Sequence, residues 1–310
     1  MGDRAKPDHD VQRDFREALA RLNAGDLDGA GKACEALRRI APDDAAVLQL
    51  HATVALRAGK PADALGSIRR SLVLRPGHVP SLLIAARAAR GAGVAQQALA
   101  PLREALARAP DHAEAAFLLC QVLLELGDPS LDRAVERAAA RHPDNAPAWQ
   151  QMGLAFQRAQ RPVAALAAFT RASEADPMLA DAHFGRGLAL RDVGRMEDAR
   201  LALQRATELE PAAAGAWFAL GLTCQDLLDE AAAASAFQAA LDARPGFAEA
   251  AVNLGICLQR LGDMDAAIEA FRRAIRIRPD TLGRIAQAVT AARTGMLWLD
   301  PAAFRRALGA

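Results

Sequence analysis

Eight prolines fall in one register. Pro42, Pro76, Pro110, Pro143, Pro177, Pro211, Pro245 and Pro279 are spaced 34, 34, 33, 34, 34, 34 and 34 residues apart, and they are half of the 16 prolines in the 310-residue chain. A fixed period of this length means one supersecondary unit repeated along the chain. A unit that small cannot bury its apolar face alone, so its copies must stack.

Other residues keep the same register when each unit is numbered so that this proline is position 32. Position 8 is small throughout: Ala18, Ala52, Ala86, Cys120, Gly153, Gly187, Gly221 and Gly255. Positions 20 and 27 are mostly alanine, and position 24 is larger and apolar: Cys34, Ile68, Leu102, Val135, Phe169, Leu203, Phe237 and Phe271. Position 15 is glycine in six units. Apolar residues at spacings of three and four predict two helices per unit. Glycine supplies the turn between them, and proline ends the second because it has no N–H to donate. Composition agrees: the chain is rich in Ala, Leu and Arg, has no tyrosine and is only 4% aromatic, which favours helix over strand.

These residues resemble the tetratricopeptide repeat (TPR). The fifth unit carries the pattern best, with Trp149, Met152, Gly153, Phe156, Ala165, Phe169, Ala172 and Pro177; the seventh has Trp217, Gly221, Ala233, Phe237, Ala240 and Pro245. The resemblance implies an all-α, right-handed α-solenoid, a superhelix of eight helix pairs with a concave inner surface. The units are 11–44, 45–78, 79–112, 113–145, 146–179, 180–213, 214–247 and 248–281. The first fits poorly in its first helix. The fourth is one residue short, and a shortened turn near Pro129 is the expected place of the deletion. Residues 1–10 are polar and expected to be a disordered tail. Residues 282–294 look like a capping helix, followed by the apolar run Met296–Leu299 and a short helix Ala302–Leu308. Trp298 in that run either packs back on the cap or docks on a neighbouring molecule, and sequence leaves both open.

The motifs of common enzymes are missing: no H-E-x-x-H, G-x-S-x-G, P-loop or dinucleotide fingerprint. Gly25-Asp26-Leu27-Asp28 and Gly262-Asp263-Met264-Asp265 begin like calcium loops but recur at one repeat position, as turn-and-cap sequences do. The six histidines show no metal-ligand spacing, and the four cysteines, far apart, read as core thiols. We therefore expect no catalytic activity, cofactor or metal. A net charge of +1, from 38 basic and 37 acidic residues, argues against nucleic acid as a partner and against a polybasic membrane surface. The charged N-terminus lacks the apolar core of a signal peptide and no apolar run is long enough for a bilayer, so we expect a cytoplasmic protein without direct membrane insertion.

Function then falls to a binding surface. The resemblance places the inner groove at positions 2, 5, 6, 9, 12 and 13 of the first helices. The candidate partner-binding residues are Arg57, Arg87 and Arg90, a basic stretch; Phe117, Phe184 and Phe218 at position 5; Gln121, Gln150, Gln157, Arg158, Arg191, Gln225, Asn253 and Gln259. Position 9 (Leu154, Leu188, Leu222, Ile256) is assigned mainly to the core, with the position-12 amides and arginines as the better ligand groups. The expected function is a non-enzymatic scaffold or adaptor that holds a partner peptide or helix in the groove. The alternative is a structural protein that forms homo-oligomers through its terminal repeats or C-terminal segment. The asparagine ladder of glycosyltransferase superhelices and the Lys/Asn clamp of chaperone-binding TPR domains do not fit these positions.

Overall fold

The computed structural model describes residues 6–291. Seventeen α-helices and two short 3-10 turns make up the regular structure, with no strand among the described residues. They fall into two compact units divided between Pro143 and Asp144. In the first, α1 (Lys6–Asn23), α2 (Leu27–Ile40), α3 (Ala45–Arg57), α4 (Pro61–Leu74), α5 (Val79–Gly91), α6 (Leu99–Arg108), α7 (Ala113–Leu126) and α8 (Leu131–Arg141) stack in chain order. In the second, α9 (Ala146–Arg158), α10 (Pro162–Ala175), α11 (Ala180–Asp192), α12 (Met196–Leu209), α13 (Ala214–Asp226), α14 (Glu230–Ala243), α15 (Ala248–Arg260) and α16 (Met264–Ile277) do the same, and α17 (Leu282–Ala291) follows in contact with α15. From α1 to α16 each helix packs on the one before and the one after within its unit, the arrangement of an α-solenoid.

The sequence register sets the helix ends. The first helices of repeats two to eight begin at Ala45, Val79, Ala113, Ala146, Ala180, Ala214 and Ala248, position 1 in the proline numbering. Steric conflict with proline drives the preceding residue out of the helical region. Ala41, Arg75, Ala109, His142, Asp176, Glu210, Arg244 and Arg278 accordingly have φ between −130° and −148°. Asp26 caps α2 by accepting from the Gly29 N–H at 2.8 Å, and Asp263 caps α16 by accepting from the Ala266 N–H at 3.1 Å. The two calcium-like sequences are thus helix caps.

Position 15 is left-handed in every repeat. Gly25, Gly59, Gly93, Gly127, Gly194 and Gly262 take φ between 63° and 88°, and Gln160 (54°) and Leu228 (62°) take it without being glycine. Two details differ from the sequence reading. Residues 6–10 are helical, where a tail over 1–10 is expected from their polarity; residues 1–5 lie outside the described part. In the fourth repeat the turn is not shortened. Residues Gly127–Ser130 form a four-residue turn, locked by the Asp128 carboxylate accepting from the Ser130 N–H and hydroxyl at 2.8 and 2.6 Å, and α8 has 11 residues against 14 in α4. The missing residue is taken from the helix. Of the expected cap, Leu282–Ala291 is helical and buries Ile285 completely; Met296–Leu299 and Ala302–Leu308 lie outside the described residues.

The core of the second unit interlocks by volume. Phe169, Phe237 and Phe271 at position 24 are fully buried or nearly so. Each lies over the glycine at position 8 of its own repeat: a Cβ on Gly153, Gly221 or Gly255 would meet the ring at 2.7, 2.6 or 2.4 Å. Phe169 also lies against Gly185 of the next repeat, whose Cβ would approach to 2.4 Å. The small position-8 residue and the large position-24 residue are therefore two halves of one contact.

Candidate partner-binding surface

Positions 2, 5, 9, 12 and 13 lie near one another on a helix because they differ by three, four or seven residues. On the first helices of each repeat they form a face that neighbouring first helices extend. The polar groups of this face bridge from repeat to repeat. In the first unit Arg87 pairs with Glu114, and Arg90 donates to Glu125 at 2.6 Å and to Gln121 at 2.8 Å. Arg57 donates to the Leu22 carbonyl at 3.3 Å. In the expected basic stretch, Arg87 and Arg90 are thus offset by carboxylates of the next repeat, and Arg57 is engaged by a backbone carbonyl. In the second unit Gln150 donates to Asp181 at 3.1 Å, Arg191 to Asp226 at 2.9 Å, and the Gln225 amide contacts the Cys257 sulfur at 3.2 Å.

Burial sorts the remaining candidates. Phe117 is 5% exposed and belongs to the core, beside His142 at a ring separation of 6.2 Å. Asn253 and Gln259 are buried, at 5% and 2% exposure; Asn253 accepts from Arg284 of α17 at 3.3 Å, and Gln259 Nε2 is enclosed without a partner. Phe184 and Phe218 are only half-buried, and so are Leu188, Leu222 and Ile256 at position 9. Phe218 leans on Phe247 with ring centroids 4.7 Å apart. Gln157 is half-buried and Arg158 exposed, and no side-chain bond is formed by either among the described residues. The sequence reading ranked position 12 above position 9 as ligand. The structure shifts the emphasis: most position-12 groups are engaged with neighbours, whereas position 5 of α11 and α13 and position 9 of α11, α13 and α15 leave apolar surface open.

The titratable groups are quiet. All four cysteines are free and buried. Burial raises the Cys34 thiol to about 11 and Cys120 to about 12. Burial, and then the neighbouring Glu230 carboxylate, raise Cys257 to about 12. Such groups are thiols at neutral pH, without nucleophilic character. Two Ser–His pairs occur. Arg38 Nη1 lies 3.1 Å from His51 Nε2 and Ser67 Oγ 2.9 Å from Nδ1. The guanidinium can only donate, so Nε2 accepts and Nδ1–H donates to the serine. The imidazole is held neutral by burial and then by Arg38, which lower its pKa, and it has no basic nitrogen turned toward the hydroxyl. In the second pair, Ser81 lies 2.9 Å from His78 Nδ1 and donates its own proton to Gln49 at 3.2 Å. No helix of the described residues is long and apolar enough to cross a membrane.

Comparison with known proteins follows the same line. The tetratricopeptide repeat model matches residues 83–147, 151–214, 187–233 and 226–280, together more than half of the chain. No curated protein sequence matches it. Among solved structures it is similar to YrrB, described as a TPR protein with an unusual peptide-binding site, with 24% identity, a TM-score of 0.50 and coverage of 60% of this chain and 96% of that one. It is similar to the C-terminal part of a TPR repeat-containing protein from Cytophaga hutchinsonii (14% identity, TM-score 0.60, 77% of this chain and 99% of that one). MamA from Desulfovibrio magneticus RS-1 matches at 22% identity, with a TM-score of 0.46, 55% of this chain and 97% of that one. At these identities the first two speak for the fold alone. The proline register, the paired helices and the family match together make this chain a member of the tetratricopeptide repeat family.

Proposed function

We propose that the chain is a non-enzymatic interaction scaffold whose partner segment docks on the first-helix face of the second unit. The observation that carries this is the half-buried apolar row Phe184, Leu188, Phe218, Leu222 and Ile256. These side chains are anchored at the core side and present carbon to solvent on the other. That is the surface an amphipathic helix or an extended peptide with alternate apolar residues covers. Gln157 and Arg158, at the α9 end, offer donors to such a segment. The likeness to YrrB, whose description names a peptide-binding site, supports this reading. Free buried thiols support a reducing, cytoplasmic setting.

The test is selection of binders to the full chain from a displayed peptide library. The selected peptides are expected to contain apolar residues at spacings of two, or of three and four. Their affinity is expected to fall at least tenfold in Leu188→Glu and Leu222→Glu, about 1.4 kcal/mol or more. Helix content by circular dichroism confirms that the variants are folded. Gln157→Ala, which disturbs no side-chain bond, gives a second reading with a smaller loss. Peptides that bind all three variants as tightly as the parent chain would overturn the proposal.

A further inference from the structure

Position 4 of the repeat carries a ring in three successive repeats of the second unit: Trp149, His183 and Trp217. Two of these rings use one acceptor. His183 Nε2 donates to the Pro177 carbonyl and Trp217 Nε1 to the Pro211 carbonyl, each at 3.0 Å, and both acceptors are the position-32 proline of the repeat before. The third shows the opposite wall. The Arg171 guanidinium lies over the fully buried Trp149, 5.2 Å from the ring centroid.

In the fourth repeat position 4 is Ala116, and a cavity of about 200 Å³ stands where the ring would be. Its lining includes Leu106, Pro110, Ala116, Leu119, Arg137 and Ala138. Two of these correspond to the partners of the rings. Pro110 is the position-32 proline of the preceding repeat. Arg137 precedes the position-27 alanine Ala138 as Arg171 precedes Ala172. Arg137 is exposed, and no ion pair or hydrogen bond holds it among the described residues. The remaining walls are aliphatic except for Arg141, whose guanidinium is paired with Asp111 at 2.8 Å. The fourth repeat has therefore kept the acceptor, the cation and the apolar sides of a ring site and lost the ring. An engineered apolar cavity of about 150 Å³ is large enough to take benzene, so this one has room for a larger planar group.

We propose that this cavity is a binding site for an indole-type ligand, a planar aromatic ring with an N–H donor. The ring lies between Leu106 and Leu119, donates to the Pro110 carbonyl and stacks under the Arg137 guanidinium, where cation–π attraction adds to burial. The site is separate from the first-helix face of the second unit.

Indole titrated into the full chain by calorimetry tests this. Saturable one-to-one binding is expected. Ala116→Trp, which supplies the ring internally, is expected to abolish it. Arg137→Ala alters only an exposed, unpaired side chain, so it is a variant without a folding risk, and it is expected to weaken binding about two- to fivefold. N-acetyltryptophanamide separates two sources of the same chemistry. Binding of both compounds means that the cavity admits a tryptophan side chain carried on a polypeptide, and binding of indole alone means a free small aromatic. Absence of saturable binding by either compound, or binding that Arg137→Ala leaves unchanged, would overturn the proposal.

Discussion

The two units meet the same packing requirement with opposite distributions of volume. In repeats one to four, position 8 is Ala18, Ala52, Ala86 or Cys120, and position 24 is Cys34, Ile68, Leu102 or Val135. In repeats five to eight, position 8 is always glycine and position 24 is Phe169, Leu203, Phe237 or Phe271. A Cβ moves from one helix of the pair to the other, and the contact stays filled, as close packing requires. The turns differ too. All four position-15 residues of the first unit are glycine, whereas the second unit places Gln160 and Leu228 in the same left-handed backbone. The faces differ as well. In the first unit charged bridges cover the first-helix face and Phe117 is in the core; in the second, Phe184 and Phe218 remain half open. A repeat register fixes where a side chain stands, and its neighbours in two other helices decide whether it is core or surface.

The largest expected effect breaks the glycine–phenylalanine contact. Phe237→Ala should cost about 3–5 kcal/mol in denaturant unfolding, as a buried ring is lost and a cavity remains. Gly221→Ala should cost about 1–3 kcal/mol by overpacking, because its Cβ would lie 2.6 Å from the Phe237 ring. Phe237→Leu in the same chain should recover at least 1 kcal/mol of that loss, since the pair then matches Ala86 and Leu102 of the first unit. Strict additivity in this double-mutant cycle would refute the volume exchange.

A smaller effect of the opposite sign is expected at the turn. Leu228 is 81% exposed, so it gains nothing from burial while its left-handed backbone is strained. Leu228→Gly should raise stability by about 0.5–1 kcal/mol. Gly194→Leu in the neighbouring repeat should lower it, and equal melting temperatures for both variants would remove the argument.

The smallest effect is a dependence on pH. Burial lowers the pKa of His51, His78 and His183 below the ordinary 6.5. Between each lowered value and 6.5 the unfolded chain binds more protons than the folded one, so stability falls as pH drops below 6.5. Urea midpoints should therefore decrease from pH 7.5 to pH 5.5, and the decrease should shrink in His183→Gln. A midpoint that rises on acidification would contradict the assignment of these rings as neutral.

Much of the fold was legible because one proline per repeat both ends a helix and pushes its neighbour into extended backbone. The period, the first-helix starts and the caps at Asp26 and Asp263 follow from that register. The surface was less legible, for a physical reason. Phe117, Phe184 and Phe218 share position 5, yet the first is buried and the others half-exposed. Only Phe117 stands in the repeat whose second helix is shortened and whose position 4 is alanine. The pairing of Arg87 with Glu114 and of Arg90 with Glu125 spans 27 and 35 residues. Writing the charges of positions 9 and 12 against positions 2 and 13 of the next repeat reveals both, whereas a helix read by itself shows only a row of arginines. The polar contact of Gln225 with Cys257 has no such signature.

The contrast between the two first-helix faces is the central claim, and one binding comparison tests it most directly. Peptides selected on the parent chain are measured against Leu188→Glu/Leu222→Glu in the second unit and Arg87→Glu/Arg90→Glu in the first, with circular dichroism confirming that both are folded. The account predicts at least a tenfold loss in the former and less than about a twofold change in the latter. A loss confined to the arginine variant would contradict it and move the partner to the charged face of the first unit.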